Sequence, residues 1–320
     1  MMNEILRVQK LTKIFEKKSF FKSEKTIVKA TDDVSFALNE GEILAIAGES
    51  GSGKSTLAKL ILRAIEPDSG KIFFENEEIS TNASLKKIRM QCQMVYQDPY
   101  DSINPRMKIE QIVGEPLEIH GISSDQRKNL IINALKEVKL EPVEEIIQKN
   151  PHMLSGGQRQ RVVLARALVL KPKIIIADEP VSMLDVSIRA EILELLKEIQ
   201  QRNNISIIYI THDLATAKHF ADRIMILYLG KIMEDGPIDQ VILKPKHPYT
   251  QALIDAVSEP DPENLYKEKM VRINESIDVD VYSGCRFYSR CPYAKEECKQ
   301  EPMLEDIKNK RNVACFFPLD

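Results

Sequence analysis

An α/β fold built on a mostly parallel sheet is what the sequence predicts, and three observations carry it. Apolar, strand-sized runs recur at residues 42–47, 93–96, 174–177, 205–210 and 224–229. Helical spacing intervenes: Leu57, Leu60, Ile61, Ala64 and Ile65 repeat at i, i+3, i+4, i+7 and i+8, and similar patterns cover 125–138, 162–170 and 188–201. Glycine is scarce, with only 12 in 320 residues, and five of the 12 fall in two short loops. Such concentration marks backbone that must approach a ligand.

Length suggests about two domains of roughly 150 residues, or one α/β domain with an appendage. Lys+Arg 45 against Asp+Glu 48 leaves a net charge of −3, which excludes a generally basic nucleic-acid binder. No apolar run reaches the roughly 18 residues of a membrane span. Glu4 and Arg7 interrupt the stretch where an export signal would be apolar, so a cytoplasmic location is expected. Residues 17–29 are polar and basic and read as a hairpin tip or loop in an antiparallel N-terminal sheet. After about residue 245 the pattern changes, with His247-Pro248-Tyr249, Pro260, Pro262 and an acidic stretch before a cysteine-rich tail. The expected division is therefore 1–245 and 246–320.

Residues Gly48-Glu49-Ser50-Gly51-Ser52-Gly53-Lys54-Ser55-Thr56 satisfy G-x-x-x-x-G-K-[ST] after a strand and before a helix. The glycines let successive backbone N–H groups wrap phosphate oxygens, and the following helix aims its positive end at them. Lys54 is placed for the β- and γ-phosphates, and Ser55 for Mg²⁺. A second strand end, Ile174-Ile175-Ile176-Ala177-Asp178-Glu179, supplies Asp178 near the Mg²⁺ and Glu179 as general base or water-orienter. These features describe a P-loop nucleotide triphosphatase. Ser155, followed by Gly156, Gly157 and Gln158, is a good N-cap for a second anion-facing helix start.

Leu154-Ser155-Gly156-Gly157-Gln158 resembles the signature motif of ABC-type ATPases, and other elements of that family follow in order. Gln97, in Val95-Tyr96-Gln97-Asp98-Pro99, resembles the glutamine loop; Ser182-Met183-Leu184-Asp185 the D-loop, with Met183 where alanine is usual; and His212 the switch histidine at the γ-phosphate. Phe15 aligns with the aromatic residue on which adenine stacks, a core phenylalanine being the competing reading. The resemblance implies a cassette with a mostly parallel core, an antiparallel β subdomain and a helical signature subdomain at about 100–170. It also implies that ATP is sandwiched between two cassettes, the glycine loop of one facing the signature of the other.

Nearly the whole chain resembles the ATP-binding subunits of dipeptide and oligopeptide permeases. The carrying residues include Val28-Lys29-Ala30, Gln97-Asp98-Pro99-Tyr100, Ser102-Ile103-Asn104-Pro105-Arg106, Pro151-His152-Met153-Leu154 and Lys246-His247-Pro248-Tyr249-Thr250-Gln251-Ala252-Leu253. That resemblance implies two transmembrane permease subunits, an extracytoplasmic binding protein reached through them, a homologous second cassette as heterodimer partner, and a place on the cytoplasmic face of the membrane. It implies no nucleic-acid partner. Relatives import peptides, nickel chelates, glutathione or oligosaccharides. Two other readings stand beside this one, a soluble non-transport ABC ATPase and a cassette that binds nucleotide without turnover.

Cys92 stands alone and reads as a small buried hydrophobe. Cys285, Cys291, Cys298 and Cys315 form C-x5-C-x6-C-x16-C, a set suited to an iron–sulfur cluster or tetrahedral Zn²⁺, with four unligated thiols as the plain alternative. Relatives with cysteines at matching positions hold a [4Fe-4S] cluster, which the resemblance therefore implies here. Residues 274–283, NESIDVDVYS, are acidic where the family has a proline-rich stretch.

Overall fold

The computed structural model describes residues 3–18, 25–98, 102–256 and 282–320. The loop tip 19–24, Pro99 and Tyr100, and the stretch holding Pro260, Pro262 and residues 274–281 lie outside the described residues.

The chain opens with β1 (Glu4–Lys18), β2 (Lys25–Asn39), β3 (Ile43–Ala47), α1 (Lys54–Ile61), β4 (Ser69–Phe74), β5 (Glu77–Glu78), α2 (Asn82–Gln91) and β6 (Cys92–Val95). A helical stretch follows: α3 (Ile109–Ile119), α4 (Ser124–Glu137), α5 (Val143–Ile146) and α6 (Gly156–Leu168). Alternation then resumes with β7 (Ile174–Asp178), α7 (Val186–Asn203), β8 (Ser206–Thr211), α8 (Leu214–Phe220), β9 (Arg223–Tyr228), β10 (Lys231–Pro237), α9 (Ile238–Leu243) and α10 (Pro248–Ala256). Two short strands, β11 (Glu305–Asp306) and β12 (Asn312–Val313), come last. No helix among the described residues is long and apolar enough to cross a membrane.

Two compact units share these elements, and the division falls inside β1, β2, β4 and β8. One unit consists of Phe73–Tyr209 with Met1–Arg7 and Ala37–Glu42. In it β6 and β7 pair in parallel, Cys92 opposite Ile174 and Val95 opposite Ala177. Strand β7 is buried from Ile174 to Ala177, as a strand covered on both faces must be, which is why it reads as an unbroken apolar run. Helices α3 and α4 pack on α6. The spacing pattern does not reveal α3, because Gly114 and Pro116 lie inside it and both read as breakers.

The other unit consists of Val8–Phe36, Ile43–Ile72 and Ile210–Asp320. Parallel pairing joins β3 to β9, Leu44 opposite Arg223 and Ala47 opposite Ile226. Strand β10 adds to β9 antiparallel, and β12 to β10, with Glu234 opposite Val313. The mostly parallel expectation leaves room for such an antiparallel edge beside parallel pairing. Strand β10 of this edge is hidden in the sequence, since KIMEDGP carries two acids that are nonetheless buried. Each acid has a partner. Glu234 accepts the backbone N–H groups of Lys246 and His247 at 3.0 Å each and pairs with Arg311, while Asp235 accepts Arg223 Nη1 at 2.8 Å. A charge this deep is tolerated only when its hydrogen bonds are supplied.

Candidate functional site

The phosphate loop leaves β3 and enters α1. Its two end glycines are required by close approach: a Cβ on Gly48 would lie 2.1 Å from the Leu227 carbonyl oxygen, and one on Gly53 1.9 Å from that of Ala30. Gly53 also has φ 107°, the left-handed region that an L side chain rarely enters. The loop is tied on the outside by Gly230 N–H, which donates to the Ser52 carbonyl at 2.9 Å. Lys54 folds over its own loop, its Nζ donating to the carbonyls of Gly48 and Glu49 at 2.8 Å each. No side chain caps α1. Ser50 and Gly51 form the exposed crown of the loop, and Ser55 is exposed in the first turn of α1 beside the half-buried Thr56.

Phe15 lies on β1 of the same unit and is 42% exposed, so the competing core reading fails. Lys13 Nζ sits 5.7 Å from its ring centroid. His212 follows β8 directly and is exposed. Its neighbour Asp213 caps α8, accepting N–H bonds from Ala215 at 2.9 Å and Thr216 at 3.2 Å, which fixes the histidine at the strand's end.

The other unit carries Asp178, Glu179, Gln97, the signature and the D-loop. Asp178 is the last residue of β7, and Glu179 next to it has φ 48°. A non-glycine residue there is strained and needs holding. The Glu179 carbonyl accepts both the N–H and the hydroxyl of Ser182, at 3.2 and 3.1 Å, and its carboxylate accepts Gln97 Nε2 at 2.8 Å. The structure thus brings together two residues that lie 82 positions apart. Arg189 pins the D-loop by donating to the carbonyls of Leu184 at 2.7 Å and Ser182 at 3.3 Å. Asp185 stands at the N-cap position of α7 but makes no side-chain cap bond.

Ser155 does cap, and reciprocally. Gln158 N–H donates to Ser155 Oγ at 3.3 Å, while Ser155 N–H donates to Gln158 Oε1 at 3.1 Å. The signature string is a capping box, so Ser155 and Gln158 have a structural duty as well. Gly156 and Gly157 occupy the first turn between them.

The cysteine segment belongs to the unit of the phosphate loop. Cys285, Cys291, Cys298 and Cys315 line one pocket together with His247, Phe287 and other aromatic residues. Burial pushes the Cys285 thiol up to about 12 and that of Cys291 to about 11, and raises Cys315 as well. Against burial, the backbone N–H groups of Phe287, Tyr293 and Phe317 each bond the sulfur two residues earlier, which favours thiolate. Burial outweighs these bonds, so the thiols as they stand are held protonated, and no three His, Cys, Asp or Glu among the described residues form a group able to hold a metal ion. Four cysteines lining one pocket are nevertheless the kind of donor set that an iron–sulfur cluster or Zn²⁺ takes. Cys92 lies elsewhere, fully buried, its thiol raised by desolvation.

The packing around this pocket shows contacts that motif reading misses. His247 is fully buried and held neutral, its pKa lowered to about 3 by desolvation, and its Nδ1 accepts Tyr249 N–H at 3.0 Å. Tyr249 OH accepts Glu49 N–H from the phosphate loop at 2.9 Å. Arg290 forks onto the Glu49 carboxylate, Nη1 to Oε2 and Nη2 to Oε1 at 2.9 Å each. Arg286 is buried against Asp32. Local sequence carries no signal for partners 200 or 241 positions apart.

Comparison with known proteins agrees with this geometry. The ABC transporter family model matches residues 31–182, and the model of the oligopeptide/dipeptide transporter C-terminal region matches residues 233–298. The chain is 44% identical over 320 residues to a probable peptide ABC transporter ATP-binding protein, y4tS, of Sinorhizobium fredii, covering 98% of this chain and 90% of that one. It is 40% identical to the di/tripeptide transport ATP-binding protein DppF of Pseudomonas aeruginosa, covering 98% of each. Among solved structures it resembles cbiO1 of Clostridium perfringens, part of the ABC transporter complex cbiONQ, with TM-score 0.65 and 30% identity over 75% of this chain and 91% of that one. A dimeric ATP-binding cassette in a post-hydrolysis state with ADP and phosphate matches with TM-score 0.63 and 30% identity, over 73% of this chain and 98% of that one. The chain belongs to the ABC-transporter family, as an ATP-binding, ATP-hydrolysing subunit of the oligopeptide/dipeptide type.

Proposed function

We propose that the chain powers uptake of di- and oligopeptides through partner membrane subunits, with the residues above in the following roles. Ser50, Gly51, Ser52, Gly53 and Thr56 offer backbone or hydroxyl donors to phosphate oxygens, and Lys54 turns from the Gly48 and Glu49 carbonyls to the β- and γ-phosphates. Phe15 stacks on adenine. Ser55, Asp178 and Gln97 would hold Mg²⁺, which neutralises developing phosphate charge when bound. Glu179 takes or orients the attacking water's proton, and His212 contacts the γ-phosphate. The signature residues Ser155, Gly156, Gly157 and Gln158, with Asp185, serve the nucleotide of a second cassette. One observation carries the hydrolytic part: Glu179 is strained at φ 48° and tethered by Gln97, an arrangement with a cost in stability and a use in placing one carboxylate.

Dimeric solved relatives support pairing with a second cassette, a homologous heterodimer partner in this reading. Met183 and Val186, 61% and 80% exposed beside Asp185, supply apolar surface for such pairing. The chain then lies peripherally on the cytoplasmic face, through the segment 97–105 near the membrane subunits. Residues 246–320 form the C-terminal extension, in which Cys285, Cys291, Cys298 and Cys315 hold a [4Fe-4S] cluster, with Zn²⁺ as the alternative. The convergence of the four cysteines on one pocket supports thiolate ligation. Nickel chelates, glutathione and oligosaccharides are the alternative cargoes.

Growth of a host that depends on a dipeptide for a required amino acid tests the transport reading. The chain supports growth and Lys54→Ala does not; equal growth without the chain contradicts it. Protein purified without oxygen should carry about four irons and four sulfides, lost in Cys291→Ser, and metal-free protein would contradict the cluster.

A further inference from the structure

Glu49 is a three-way junction. Its N–H donates to Tyr249 OH, its carbonyl accepts Lys54 Nζ, and its carboxylate accepts both Nη groups of Arg290. The first and third contacts come from the C-terminal part of the chain, and the second comes from the phosphate lysine. When Lys54 turns to a phosphate, its bond to the Glu49 carbonyl is given up; within the loop that carbonyl keeps the Ser52 N–H at 3.2 Å, and Arg290 and Tyr249 hold the residue from outside the loop.

Arg290 is well mounted for this work. Its side chain is 17% exposed, its Nη1 also donates to Tyr228 OH at 2.9 Å, and its guanidinium lies 5.6 and 5.7 Å from the ring centroids of Tyr228 and Phe287. The residue ends a short 3₁₀ turn, Tyr288–Arg290, set between Cys285 and Cys291. Tyr288 N–H bonds the Cys285 carbonyl, Cys291 N–H bonds that of Tyr288, and Cys285 N–H bonds that of Cys298. The position of the guanidinium thus depends on how the two pocket cysteines are held. A planar fork on a carboxylate has one good geometry, so a shift of the turn is felt at Glu49.

We propose that Arg290 is a positioning residue for the phosphate loop: it holds Glu49 while Lys54 engages phosphate, and so makes ATP affinity depend on the turn between Cys285 and Cys291. This rests on the ATP-site assignment above. A preformed loop binds more tightly because less ordering is left to be done on binding.

Titration of the full chain with a fluorescent trinitrophenyl-ATP tests it, alongside the unfolding temperature without nucleotide. Arg290→Ala and Glu49→Gln each weaken binding by about fivefold or more, the lower edge of ordinary site-to-site couplings, and the double variant is no weaker than either alone. Arg290→Lys, which keeps the charge without the fork, falls between. Cys291→Ser weakens binding in the wild-type background and adds nothing to Arg290→Ala. Binding by Arg290→Ala within about twofold of wild type overturns the proposal, as do additive effects. Loss of binding with an equal drop in unfolding temperature for Arg290→Ala and Arg290→Lys also overturns it, since general misfolding would then suffice. A wild-type chain that binds none of the probe overturns the ATP-site assignment itself.

Discussion

Helix α1 begins at Gly53, whose backbone is left-handed and which offers no side chain to its first turn, whereas α6 begins at Ser155, which caps and is capped by Gln158. Both starts are glycine-rich, and in the proposed function both offer backbone donors to an anion. They differ in what completes them. The signature end satisfies two donors from its own sequence and stands formed unaided. The phosphate loop instead leans on Lys54, folded over it, and on Glu49, held from residues 249 and 290. A site built for a large ligand keeps its donors open and borrows rigidity from elsewhere; a site that meets a neighbour's ligand at one edge can be self-supporting.

Ser155→Asp separates the two duties of the signature serine and carries the largest expected effect. Aspartate is as good a cap as serine, so the unfolding temperature holds, but a charge facing phosphate should lower turnover by roughly a hundredfold or more. Wild-type turnover in this variant would reduce the motif to a capping box. Ser155→Ala, by contrast, costs about 1 kcal/mol of stability on the cap alone.

On the side of the phosphate loop, His247 gives a pH signature. Its pKa falls from 6.5 unfolded to about 3 folded, so the unfolded chain takes up the proton first. The contribution is complete above about pH 6.5 and is lost as pH falls toward 3, by up to about 1.4 kcal/mol per unit. Denaturation from pH 7 to 5 should therefore weaken wild type more steeply than His247→Gln, and equal slopes would count against a buried neutral imidazole. The smallest effect belongs to Phe15→Ala, a roughly two- to tenfold loss of ATP affinity if the exposed ring stacks on adenine. Unchanged affinity would remove Phe15 from the site.

What the sequence made legible follows from how local each signal is. The buried strands, the phosphate loop and the order of motifs are written in contiguous residues, and β3, β7, β8 and β9 lie within a residue or two of the apolar runs. Helix α3 escapes because Gly114 and Pro116 interrupt its pattern, and β10 because its buried Glu234 and Asp235 look like surface. The tether from Gln97 to Glu179, the capping role of Gln158 and the fork from Arg290 to Glu49 are contact facts. Motif order names the first pair without its bond and gives no hint of the last.

In the proposed function Glu179 is the carboxylate that acts on water as ATP is turned over. Release of phosphate from radiolabelled ATP by the full chain and by Glu179→Gln, with ATP binding measured on the same samples, tests this. Glu179→Gln should bind ATP as wild type does and lose at least about a hundredfold in hydrolysis, the scale of a missing general base. Equal hydrolysis by both would contradict it.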